Sequence, residues 1–201
     1  ALGRPPALVL EATASLGAVA QARGVPALEA IYDYMAEGDG TNLIYFPVFN
    51  YNQGNLDNVG AMLRHPRALW GLTDAGAHVG TICDASSSTT LLTHWTRDRA
   101  QDKLPVETAI EMLTSRNARH IGLTDRGLVA PGLRADLNVI DHAALALAKP
   151  EVAFDLPAGG KRLLQRASGY RATFVAGRRV ADNGVLTGAK PGRLVRMGQE
   201  R

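Results

Sequence analysis

The 201 residues, 46% of them hydrophobic, are enough to bury a core as one or two domains and exclude a disordered tail. The 22 basic residues against 19 acidic leave a formal charge of +3 that is scattered along the chain, not gathered into a stripe with interleaved aromatics, which argues against nucleic acid as a partner. A single cysteine, Cys83, rules out an internal disulfide framework and fits a reducing compartment, so the cytoplasm is the expected location.

No run approaches the roughly 18 apolar residues needed to span a bilayer, and the N-terminus lacks the basic-then-apolar order of a signal peptide, so no membrane partner is expected. The chain opens on Ala1 and Leu2 instead of an initiator methionine, which suggests a piece of a longer protein.

Leu16, Val19 and Ala20, followed by Gly24, predict a short helix closed by glycine. Pro26 opens a second, in which Leu28, Ile31, Tyr32 and Met35 recur at i, i+3, i+4 and i+7 before Gly38 and Gly40. Residues 43–49 are almost continuously apolar, the pattern of a strand buried on both faces, with Pro47 at a bulge or at the strand's end. Asn55 caps a third helix with Leu56, Val59 and Leu63 facing inward, and Pro66 stops it. Residues 67–72 read as the next strand, ending at Asp74. Strand, helix and strand within about thirty residues make a βαβ unit and imply a parallel sheet.

Residues 80–90 are polar, carry the run Ser86, Ser87, Ser88, Thr89 and Thr90, and are long enough for an active-site loop. Leu91 to Trp95 begins another helix. Pro105 starts a further one, with Val106, Ala109, Ile110 and Leu113 on one face, and Gly122 closes the helical region. From about Leu123 the pattern becomes short strands and turns: residues 135–141, 170–175 and 179–181, with turns at Ala176-Gly177 and Asn183-Gly184. Residues 145–166, with Pro150, Pro157 and the Gly159-Gly160 pair, read as an irregular excursion. The expected organisation is α/β units over residues 1–122 and a mostly antiparallel unit over residues 123–201.

Asp74 closes an apolar run and opens a small-residue loop, the position where catalytic groups sit in a parallel α/β barrel. The same aspartate also reads as a loop cap or an arginine's partner. His78, four residues on, can reach toward a substrate or metal, or stay solvated. Gly76 and Gly80 allow a substrate close to the backbone, or merely let the loop bend. Cys83 is a ligand or thiol by type, and a small apolar group by its isolation. Ser86, Ser87 and Ser88 with His94 and Asp98 supply the residue types of a hydrolytic triad without its glycine-flanked elbow. His65 reads as a helix-end dipole partner, His94 as a packed or surface helix residue, and Asp136 as the tie between a turn and its strands.

Taken in order, Asp74, then Thr114-Ser115-Arg116-Asn117-Ala118-Arg119, Gly122-Leu123, Arg126-Gly127, Pro131-Gly132 and Ala135-Asp136-Leu137-Asn138-Val139-Ile140-Asp141 resemble the closing part of the amidohydrolase superfamily. Val175-Ala176-Gly177-Arg178-Arg179-Val180 and Thr187-Gly188-Ala189-Lys190-Pro191-Gly192-Arg193 resemble the tail of its N-acyl-D-amino-acid deacylase branch. The resemblance implies an α/β fold: the last units of a metal-dependent (β/α)8 barrel, followed by antiparallel strands of a small β-sandwich built from both chain ends. It implies hydrolysis of an amide bond in a small N-acylated D-amino acid, with zinc as cofactor. Asp74 would then touch the metal and act as general base and afterwards general acid, and His78 and Gly76 become candidates for substrate contact.

The superfamily's other metal ligands include a histidine-any-histidine pair on the first strand, further histidines, and a bridging lysine, glutamate or cysteine. The histidines here stand at 65, 78, 94, 120 and 142, so no such pair exists. The chain is therefore expected to hold the final two or so barrel units and the C-terminal share of the sandwich, to lack most of the metal site, and to be inactive alone. Open strand edges and apolar helix faces predict self-association. A cyclic-amide hydrolase of the hydantoinase or dihydroorotase kind, and a non-catalytic α/β scaffold or binding module, remain as alternatives.

Overall fold

The computed structural model describes residues 12–51, 53–71, 73 and 78–196. They fall into two compact units, within Ala7–Ala68 and Leu69–Arg201.

The first unit is helical. Helix α1 (Leu16–Arg23) begins where the Ser15 hydroxyl accepts the Ala18 amide at 3.1 Å, and ends at Gly24 in the left-handed conformation (φ 68°), as a C-terminal glycine should. Helix α2 (Ala27–Ala36) follows Pro26. The two helices meet through small residues, Ala20 and Ala30, both buried, and Arg23 pairs with Asp33 at 2.6 Å. Helix α3 (Asp57–Arg64) starts with the Asn55 side chain accepting the Asp57 amide at 2.9 Å, buries Leu56 and Leu63, and stops at His65 before Pro66.

Two expectations fail over residues 27–71. The apolar face predicted for α2 points outward, with Leu28, Tyr32 and Met35 all exposed. Residues 43–49 and 67–71 form no strand, so the predicted βαβ unit and its parallel pairing are not present among the described residues. A strand is completed by its neighbour, and no described segment pairs with residues 43–49; Tyr45, Phe46, Val48 and Phe49 accordingly stand in the open.

The second unit packs helices against antiparallel strands. Helix α4 (Ser87–Thr90) runs into a π-helical segment (Leu91–Asp98), followed by α5 (Val106–Leu113) and α6 (Ser115–His120). The serine and threonine run expected as a loop is thus helical from Ser87. The Thr93 hydroxyl donates to the Thr89 carbonyl one turn back, and the Thr89 hydroxyl pairs with that of Tyr170, so both hydroxyls are satisfied within the helical conformation. Leu91, Leu92, Trp95, Leu104, Ala109 and Met112 form the core of this part. No helix among the described residues is long and apolar enough to cross a membrane.

Eight strands follow among the described residues: β1 (Leu137–Ile140), β2 (Ala146–Leu147), β3 (Glu151–Leu156), β4 (Gly160–Leu164), β5 (Ala167–Ser168), β6 (Tyr170–Val175), β7 (Arg178–Asp182) and β8 (Val185–Leu186). Strands β1, β6, β7 and β8 form one sheet in that order, β2 pairs with β5, and β3 with β4; every described pairing is antiparallel. Both predicted turns hold. Ala176-Gly177 (φ 49° and 74°) and Asn183-Gly184 (φ 44° and 82°) are left-handed at both central positions, which matches the twist of the strands they join.

The excursion expected over residues 145–166 is instead an ordered hairpin. Pro157–Gly159 turns the chain through one tight helical loop, with Ala158 and Gly159 both at positive φ, and Arg162 grips Asp155 across the strands with two bonds of 2.7 Å. Gly169 (φ 92°) lies flat against Leu145: a Cβ there would come within 2.6 Å of the Leu145 Cα, so only glycine fits.

Candidate functional site

Asp74 and Gly76 lie outside the described residues. His78 is exposed and sits at φ 45°, a conformation that histidine tolerates better than most residues. Its carbonyl accepts the amides of Thr81 (2.7 Å) and Ile82 (3.0 Å), closing a tight turn directly after the predicted catalytic segment.

The loop that this turn begins is fixed to the β3–β4 hairpin. The Leu163 amide donates to the Val79 carbonyl at 2.7 Å, and the Ser86 hydroxyl donates to Gln165 Oε1 at 2.5 Å, while Gln165 Nε2 donates to the Ala148 carbonyl at 2.9 Å. Val79, Ile82 and Cys83 face Leu163 and Leu164 across a shallow cleft with Arg162 and Gln165 on its far wall. Burial raises the Cys83 thiol pKa, with Asp84 adding to the effect, so the thiol is held in its unreactive form.

Farther along, the π-helical segment makes a polar seam with the strand region. His142 Nε2 lies 2.9 Å from both the Leu92 carbonyl and the Thr96 hydroxyl. A carbonyl only accepts, so that nitrogen carries the proton. Arg97 donates to the His142 carbonyl and pairs with Asp98, whose carboxyl is held below its usual range chiefly by the Arg97 hydrogen bond. His94 is 7% exposed, edge-on to Trp95 at 5.1 Å, with Arg99 stacked over the Trp95 ring at 4.8 Å. Its Nε2 has no hydrogen-bond partner, and desolvation, with the Arg99 charge, pushes its pKa down.

These contacts do not join the residue types of a hydrolytic triad. Ser87 Oγ and His94 Nε2 are each buried without a partner and so are not bonded to one another, Ser86 is committed to Gln165, and Asp98 to Arg97. No described group of three or more His, Cys, Asp or Glu is placed to hold a metal. Asp136 ties its turn as the sequence predicts: it accepts the Ala176 amide at 2.8 Å and binds Arg134 at 2.8 Å and Arg126 at 3.3 Å. Partial desolvation works to raise its pKa, but these bonds outweigh it and the net shift is downward.

Sequence reasoning passes over Ser86 with Gln165, and His142 with Thr96. Each pair joins residues 46 to 79 positions apart, where no local pattern connects them. The one available signal is composition: polar side chains on the inward side of an otherwise apolar helix need partners.

A profile described as Amidohydrolase family matches residues 8–181. The chain is 38% identical over 101 residues to the N-acyl-D-aspartate deacylase of Alcaligenes xylosoxydans xylosoxydans, covering 50% of this chain and 18% of that protein. It is similar to a solved D-aminoacylase mutant in complex with copper chloride, with 27% identity, a TM-score of 0.50, and coverage of 87% of this chain and 32% of the other. It is also 33% identical, over 51% of its length and 19% of the other's, to a D-aminoacylase whose structure was solved to examine a binuclear metal centre, with a TM-score of 0.40. The chain thus spans about a fifth of the length of the deacylase it matches.

Proposed function

The chain belongs to the amidohydrolase family, and from that premise we propose that it forms the C-terminal part of a zinc-dependent hydrolase that cleaves the amide bond of N-acyl-D-amino acids. One observation carries this reading: the similarity to an N-acyl-D-aspartate deacylase, together with a likeness in structure to a D-aminoacylase. In this reading residues 1–122 supply the last β/α units of a (β/α)8 barrel and residues 123–201 the C-terminal share of a β-sandwich, in a protein of the cytoplasm. Asp74 takes a proton from the attacking water as its oxygen adds to the carbonyl carbon, then gives that proton to the amine as the C–N bond breaks. His78 and Gly76, on the segment that follows, contact the substrate.

The described residues do not assemble a metal site, so no step is assigned to a metal on this chain. Asp74 is the one ligand we assign to zinc here; the remaining ligands belong to parts of the enzyme beyond it. The isolated 201-residue chain is accordingly inactive and a weak zinc binder.

The test is a substrate panel. The intact protein that carries this chain, supplied with zinc, is assayed against N-acetyl-D-amino acids, their L counterparts and a hydantoin. Turnover of the D series with metal-dependent rates supports the proposal. Turnover of the hydantoin instead transfers the site to a cyclic-amide hydrolase, and measurable D-series turnover by the isolated chain refutes the division of the metal site.

A further inference from the structure

We propose that the β3–β4 hairpin is the positioning element for the loop that follows Asp74, with Ser86 and Gln165 as its clamp; this rests on the reading of Asp74 above. The observations are three contacts between segments about 80 residues apart in sequence. The Leu163 amide of β4 binds the Val79 carbonyl at 2.7 Å, fixing the start of the loop by backbone alone. The Ser86 hydroxyl binds Gln165 Oε1 at 2.5 Å, fixing its end, just before α4 begins. Between these points Val79, Ile82 and Cys83 lie against Leu163 and Leu164.

The clamp is itself anchored. Gln165 uses its remaining donor on the Ala148 carbonyl at 2.9 Å, so the amide is oriented with its oxygen toward Ser86 and cannot flip without losing both bonds. The hairpin is stiffened by the paired bonds from Arg162 to Asp155. At the other end of the loop the His78 carbonyl takes two amides in a tight turn. A segment pinned at Val79 and Ser86 has little freedom to shift, and it is this restraint that we propose passes along the backbone toward Asp74. Loops that carry catalytic groups need such support, since misplacement by about 1 Å costs up to roughly a hundredfold in rate. Neither Ser86 nor Gln165 touches the reacting atoms in this account; both act through the loop.

The test uses the intact zinc-loaded protein in five forms beside the wild type: Ser86→Ala, Gln165→Leu, the double variant, Ser86→Thr and Gln165→Glu. Ser86→Thr keeps the hydroxyl; Gln165→Glu keeps an acceptor for it but replaces the donor to the Ala148 carbonyl with a carboxylate oxygen. Ser86→Ala and Gln165→Leu are each expected to lower kcat for an N-acetyl-D-amino acid by roughly 10-fold, with KM within about twofold, as loss of a supporting contact does. The double variant is expected to be no worse than the poorer single, Ser86→Thr to recover most of the rate, and Gln165→Glu, whose carboxylate repels the Ala148 carbonyl, to stay slow. Amide hydrogen exchange over residues 79–86 is expected to quicken in Ser86→Ala and Gln165→Leu. Unchanged exchange there overturns the clamp whatever the activity, and additive losses in the double variant overturn the coupling of the two residues. Asp74→Asn, run in parallel, tests the underlying reading separately: full activity in that variant removes Asp74 from the chemistry, while the exchange measurement still decides the clamp.

Discussion

The two compact units differ in which apolar side chains they bury. In the unit within Leu69–Arg201, Leu91, Leu92, Trp95, Met112 and Leu145 are buried, and helices and strands from distant parts of the sequence supply the other side of the core. In the unit within Ala7–Ala68, Leu28, Tyr32, Phe46 and Phe49 are each at least 72% exposed, and the fully buried side chains are chiefly alanines and two leucines. Apolar periodicity marks which surface is to be covered; it does not contain the partner that covers it. Where both partners lie in the described residues the pattern becomes a core, and where one does not, the face remains open.

This difference can be pressed experimentally. The largest effect is expected from Gly169→Ala, which brings a Cβ into the Leu145 backbone at a positive φ; unfolding in urea should show a loss on the order of 3 kcal/mol or more. Met112→Ala opens a cavity in the same unit and should cost about 2–5 kcal/mol by the same assay. Leu28→Ala and Phe46→Ser, in the other unit, should change stability by less than about 0.5 kcal/mol, because neither side chain leaves water on folding. We further propose that these open faces pair copies of the chain; the two substitutions should weaken that self-association in light scattering over a concentration series, and a strict monomer in the unsubstituted chain would refute it.

A smaller effect attaches to His94. Its pKa in the folded chain is depressed, so between that value and the unfolded value of about 6.5 the unfolded chain binds more protons, and stability falls as pH drops through this window. Above about pH 6.5 both states are neutral at this site and the contribution is level. Substituting His94→Gln should flatten the decline in melting temperature below that pH, and an unaltered decline would place its origin elsewhere.

Much of the second unit was legible because its signals are local. Asn183-Gly184 and Ala176-Gly177 carry the left-handed turns that join β6, β7 and β8, Pro105 opens α5, and Gly122 at φ 74° ends the helical region. The β3–β4 hairpin was hidden by the same chemistry that forms it: Pro157 and Gly159-Gly160 read as disorderly when they in fact build the reversal. Residues 43–49 misled in the opposite sense, since an apolar run implies burial but names no partner. Of the candidate site, Asp74 is legible as a carboxylate at the close of an apolar run, and its role is the one proposed above. The contacts that steady the following loop, Val79 with Leu163 and Ser86 with Gln165, were not legible, for they exist only once the hairpin has returned across the fold.

Asp74 is proposed to perform the proton transfers of amide hydrolysis. That role is tested most directly by the initial rate of N-acetyl-D-amino-acid hydrolysis in the intact, zinc-loaded protein, wild type against Asp74→Asn, with folding checked by circular dichroism. The folded variant is expected to be slowed by about a hundredfold or more, the usual contribution of a general acid–base group. A folded variant that turns over the substrate at the wild-type rate would contradict it.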